Sequence, residues 1–121
     1  MEKLKGKLAT FNNRLDTWTV TLTPIEVQRI IETASFVDEI VFSERYILEN
    51  DKVIAITVIE KYFTRVSNRA SLTIMCDNLS GETKIKAAVC GTSNSWFWKF
   101  DWGASKSFIG YVKDLLKEYK V

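Results

Sequence analysis

The chain has no histidine among its 121 residues. Without imidazole there is no Ser-His-Asp or Cys-His pair, no histidine metal site and no histidine acid or base. Carboxylate or lysine chemistry is what remains, which argues against an enzyme; no catalytic residue, metal site or cofactor is assigned. Proline occurs once and glycine five times, and no linker, repeat or low-complexity segment interrupts the chain. Residues 1–121 therefore read as a single domain, long enough to bury its own core. The two cysteines, Cys76 and Cys90, sit in no zinc or redox spacing, and both are expected as reduced, buried thiols of a cytoplasmic protein. No apolar run approaches the ~18 residues of a membrane span, and "MEKLKGKLATFNNRL" lacks the continuous apolar stretch of an export signal. A net charge of +2 is too mild to point to nucleic acid.

What is present is a clear alternation of strand and helix patterns. In "DTWTVTLTP", Trp18, Val20 and Leu22 alternate with threonines, the period of a strand with one buried face. A helix start follows at once. Thr23 and Glu26 have the spacing of a capping box, Pro24 falls at the first helical position, and Leu22 with Val27 can form a hydrophobic staple. Val27, Ile30, Ile31 and Ala34 then make one apolar stripe. Two long β-rich runs, "EIVFSERYIL" and "VIAITVIEKYF", flank Asn50-Asp51, a turn pair, and predict a long antiparallel hairpin. "ASLTIMCD" and "TKIKAAVCG" continue the meander, with Leu72, Ile74, Cys76 and Ile85, Ala87, Val89 facing inward. A helix from about Ala104 to Tyr119 closes the chain, with Asp101 as a candidate cap.

The reading is α+β: a curved antiparallel β-meander with two helices on one face, in the order β-α-β-β-β-β(-β)-α. "TVTLTPIEV" and the closing "SFIGYVKDLLKEY" resemble a shortened helix-grip domain, the architecture of START-like and pollen-allergen-like lipid carriers. That resemblance implies a ligand held between the sheet and the C-terminal helix. The "DWG" turn, Asp101 to Gly103, is similar to one in a family of small uncharacterised bacterial proteins, which implies no activity.

The densest aromatic stretch is "SWFWKFDWG". As a strand it would send Trp96, Trp98, Phe100 and Trp102 to one face and Phe97, Lys99 and Asp101 to the other. Those four, with Phe108 and Val112 of the final helix, are the candidate wall for a small apolar or aromatic ligand. The same stripe can instead be plain core, and the alternative function is a homodimeric interaction module with a fully packed interior. "CGTSNS" reads as a loop of turn formers. Glu39, Glu44, Glu49 and Glu60 with Arg45, Lys52 and Lys61 read as a solvated sheet face with cross-strand pairs. The basic residues Arg65, Arg69, Lys84, Lys86 and Lys99 are interrupted by acids, which disfavours nucleic acid as a partner.

Overall fold

The computed structural model describes residues 15–64, 68–90 and 107–121. Five strands, β1 (Leu15–Val20), β2 (Glu39–Ile47), β3 (Val53–Phe63), β4 (Asn68–Asp77) and β5 (Thr83–Cys90), and two helices, α1 (Pro24–Glu32) and α2 (Phe108–Leu115), follow in the order β-α-β-β-β-β-α. All strand pairings are antiparallel and the sheet order is β1-β5-β4-β3-β2. The α+β meander with two helices is thus the observed architecture. The optional extra strand of the sequence reading falls at 95–102, outside the described residues.

Chain order and sheet order together dictate where α1 lies. β1 and β2 are consecutive in sequence yet occupy opposite edges, so the connection between them crosses the sheet, and α1 makes that crossing over β3 and β4. Inward side chains Trp18, Val20, Ala55, Ile59, Leu72, Ile74, Cys76, Ile85, Ala87 and Val89 form one cluster with Val27 and Ile31 of α1 and Phe108, Val112 and Leu116 of the C-terminal region. Both helices therefore cover the same face. Among the described residues no helix lies on the other face.

Local chemistry sets the helix ends. The Thr23 hydroxyl accepts from the Glu26 N–H at 3.2 Å while the Glu26 carboxylate accepts from the Thr23 N–H at 2.9 Å, with Pro24 at the start. These bonds hold the Glu26 carboxyl below its usual range, so the box is intact at neutral pH and is lost under acid. Helix α1 ends at Glu32, two residues short of Ala34 in the expected stripe; at its C-cap the Thr33 hydroxyl bonds back to the carbonyls of Arg29 and Ile30. α2 likewise starts at Phe108 and not near Ala104. Its cap is Ser107, whose hydroxyl accepts from the Gly110 N–H at 3.0 Å, so Asp101 is not the cap. After Leu115 the chain tightens into a 3-10 turn, Lys117–Tyr119.

The two sheet edges differ. Along β1 the Thr21 N–H donates to the Tyr119 carbonyl at 2.8 Å and the Val121 N–H to the Thr19 carbonyl at 3.0 Å, with Val20 bridged to Lys120. The C-terminal residues cover that edge. At β2 a register irregularity between Ile40 and Phe42 marks a bulge, a common device on an edge strand. The β2–β3 hairpin turns at Asn50 and Asp51, both at φ 60°, as expected for residue types that tolerate the left-handed region.

In urea melts, Thr23→Ala is expected to cost about 1 kcal/mol through loss of the cap. Leu116→Ala, emptying a fully buried site, is expected to cost about 2–5 kcal/mol.

Candidate functional site

The inward phase of β3 places Val53, Ala55, Thr57 and Ile59 in the interior. Continued by two more steps, the same phase puts Lys61 and Phe63 on the helix-covered face, where a lysine has to find something to do with its charge. It finds aromatic rings. The Lys61 Nζ lies 5.1 Å from the Tyr111 ring centre and 5.6 Å from that of Phe63. Phe63 meets Phe108 edge to face at 5.5 Å and Tyr111 at 6.4 Å, and Phe36 lies 5.2 Å from Tyr111. Ammonium over ring faces is favourable by about 0.5–2 kcal/mol depending on solvation. Among the described residues no carboxylate lies within ion-pair distance of Lys61.

The register locates this cluster at one end of the sheet. Lys61 is opposite Ala70, Phe63 opposite Asn68, and Ser71 opposite Cys90, the last residue of β5. Phe108, touching Phe63, opens α2. Both ends of the segment 91–106 therefore attach beside Lys61.

A second polar group lies between α1 and the β2 side of the sheet. Gln28 and Thr57 are buried. The Gln28 amide donates to the Glu44 carbonyl at 2.9 Å, the Thr57 hydroxyl at 3.3 Å and the Ile56 carbonyl at 3.5 Å, and its oxygen accepts from the Arg45 Nε at 3.0 Å. Ser43 donates to the Glu32 carboxylate and lies 3.4 Å from Thr57. These groups satisfy one another and fasten the edge strand to the helix, an anchoring role. Among the described residues no three acidic or thiol side chains converge as a metal site would require, and no helix is long and apolar enough to cross a membrane.

Of the residues assigned from sequence, Phe108 and Val112 are fully buried in the core beneath α2. Trp96, Trp98, Phe100 and Trp102 lie outside the described residues, as do Phe97, Lys99, Asp101 and the "GTSNS" loop. Arg45 and Lys61 correct the reading of a solvated charged face: both project to the helix side, where Gln28 and the aromatic rings receive them. Sequence phase could have found them, since Arg45 alternates with Ser43, and Lys61 with Ile59 and Phe63. Glu60 does take the expected surface role, 3.7 Å from Arg69.

The cysteines also divide. Cys76 is buried and Cys90, the last residue of β5 and out of phase with inward-facing Val89, is exposed; both are free thiols. Burial, with Asp77 beside it, pushes the Cys76 thiol from 9.0 up to about 12.

A protein-family model described as a family of unknown function (DUF6054) matches residues 20–120. Neither the curated proteins nor the solved structures gave a match.

With a thiol reagent at mildly alkaline pH, Cys90 is expected to react in the native protein and Cys76 only after denaturant is added. Because the folded Cys76 holds its proton to higher pH than the unfolded thiol, its contribution to stability is complete below pH 9 and is lost as pH rises toward 12; a urea series over that range checks the sign. Gln28→Leu, near in size but unable to bond, should destabilise by about 1–3 kcal/mol by removing the partner of the Arg45 Nε and of the Glu44 and Ile56 carbonyls. Equilibrium unfolding measures it.

Proposed function

We propose a non-catalytic binding function for this chain, which belongs to the family of unknown function DUF6054: it holds a small apolar or aromatic ligand bearing an anionic group, between the sheet and the C-terminal helix. The observation that carries this reading is Lys61, an ammonium on the helix-covered face that faces the rings of Phe63 and Tyr111 and has no carboxylate partner among the described residues. Rings offer a flat apolar surface and the lysine a counter-charge, so an aryl or alkyl carboxylate or sulfonate would satisfy both. Trp96, Trp98, Phe100 and Trp102 belong to the segment whose two ends attach beside Lys61, and we read them as the wall of this site. Phe108 and Val112 form its floor by holding α2 on the sheet.

The element order supports the same reading. Among the described residues, a first strand beside the last one, a meander between and a closing helix on the sheet are in keeping with the resemblance to a shortened helix-grip domain read from "TVTLTPIEV" and "SFIGYVKDLLKEY".

Titration with anilinonaphthalene sulfonate, an aromatic anion whose fluorescence rises on burial, tests the proposal. One saturable site is expected, weakened about tenfold or more by Lys61→Met and competed by an alkyl carboxylate. Trp98→Ala should weaken binding while leaving the Lys61 dependence in place. Affinity unchanged by Lys61→Met in a folded variant would overturn the reading. Native mass spectrometry of protein purified from cells would weigh any ligand retained.

A further inference from the structure

The Lys61 ammonium has a polar neighbour in the aromatic cluster. It faces the ring of Tyr111 at 5.1 Å, and that ring carries a phenol hydroxyl, a donor as well as an acceptor. Among the described residues neither the Lys61 Nζ nor the Tyr111 hydroxyl makes a hydrogen bond or an ion pair, whereas the Tyr46 hydroxyl donates to Glu44 at 2.6 Å and the Lys113 Nζ to Asp16 at 2.7 Å. No buried side-chain nitrogen or oxygen of the described residues lacks a partner. The tips of these two half-buried side chains are therefore open to water, and to a ligand that replaces it.

Phe108 and Val112 belong to the buried stripe of α2, and Tyr111, three residues after Phe108, flanks it. Phe36 lies 5.2 Å from the Tyr111 ring and Phe63 6.4 Å from it. Two other rings thus brace it, and little freedom is left to lose on binding. The phenol oxygen sits ~2.8 Å from its ring centre, so an ammonium over the ring face stands roughly 6 Å from it, a gap that a carboxylate spans by accepting a bond of ~2.8 Å at each of two oxygens ~2.2 Å apart. A sulfonate brings a third oxygen, and the other side chains of the cluster, Phe36, Phe63 and Phe108, offer it no donor.

We propose that Tyr111 is a second ligand-binding residue of the Lys61 site: its hydroxyl donates to one oxygen of a carboxylate whose other oxygen accepts from the Lys61 ammonium, which makes the ligand an aryl or alkyl carboxylate. Tyr111 has this role only if the ligand site proposed above exists, and it narrows what that site takes. Lys61 belongs to β3 and Tyr111 to α2. The two oxygens of the bound carboxylate therefore tie the closing helix to the sheet. Binding adds a link between elements that otherwise meet there only through apolar rings, so it raises the cost of opening α2.

Displacement of anilinonaphthalene sulfonate from the whole chain by three naphthalenes tests it: 2-naphthoate, 2-naphthalenesulfonate and 2-methylnaphthalene, which has the same rings and no acceptor. The wild type is expected to take naphthoate most tightly. Tyr111→Phe keeps the ring and, its hydroxyl being unbonded, should keep the fold, which circular dichroism checks. It should weaken naphthoate about tenfold and leave 2-methylnaphthalene unchanged. Hydrogen exchange of the α2 amides should slow with naphthoate in the wild type and much less in Tyr111→Phe. Equal losses for naphthoate and 2-methylnaphthalene in Tyr111→Phe would reduce the residue to packing and overturn its role, and a sulfonate bound as tightly as the carboxylate would overturn the ligand class. Naphthoate binding that Lys61→Met weakens and Tyr111→Phe does not would overturn the tyrosine's part while the lysine site stands. Binding indifferent to both substitutions, or none at all, would overturn the site itself and this inference with it.

Discussion

The antiparallel pairing of β1 with β5 is the contact on which the arrangement of every other element depends. It joins a strand from the start of the described chain to the end of the meander, so β2, β3 and β4 must fill the space on one side of β5 only. The chain leaving β1 then has the whole width of the sheet to cross before β2 begins. Helix α1 is the economical way across, and its apolar stripe, Val27 and Ile31, becomes the lid of β3 and β4. What remains of that face, over β4 and β5, falls to α2. The sidedness of the described residues follows: both of their helices pack on one face of the sheet.

That sidedness sets different problems at different places. Under the helices the interior is apolar toward β4 and β5 but polar toward β2, where Gln28 bonds the carbonyls of Glu44 and Ile56 and receives Arg45. A buried amide of this kind is worth little if all its bonds are made and costs much if one is missing. Its value is positional: it fixes which residues of the edge strand lie under α1. At the opposite end of β3 the solution is aromatic, with Lys61 held over rings instead of against a carboxylate. An ammonium held over ring faces is only partly compensated for lost water, which is why the proposed ligand carries an anionic group.

Much of the fold was legible because the signals were local. The Thr23–Glu26 box, Pro24 and the alternations of Leu72-Ile74-Cys76 and Ile85-Ala87-Val89 each state a backbone conformation and a buried side within a few residues, and the structure places them accordingly. Helix α2 was read too long at its start because Ser107 as a cap is one of two serines in "GASKSF", and no apolar period distinguishes them. Less legible were the polar residues on the inner face. Gln28, Arg45 and Lys61 are placed by phase, but residue type argues for solvent, and only the presence of a tertiary partner decides. Cys90 was misread for the complementary reason, since a small apolar residue on the uncovered face has nothing to bury it. The aromatic stretch that drew the sequence reading lies outside the described residues.

The long-range nature of the β1–β5 contact also governs how the molecule can be made. Leu15 pairs with Ala88 and Val20 with Thr83, so β1 leaves the ribosome well before its partner has been synthesised. At ~5–20 residues per second the interval lasts some seconds, during which Trp18 and Val20 have no strand beside them while β2, β3 and β4 can already pair as hairpins. The order of synthesis thus lets β2, β3 and β4 pair before β1 can meet its partner. The cost of closing so large a loop falls on the final step, and the polar threonines that alternate with Trp18 and Val20 help keep β1 soluble while it waits.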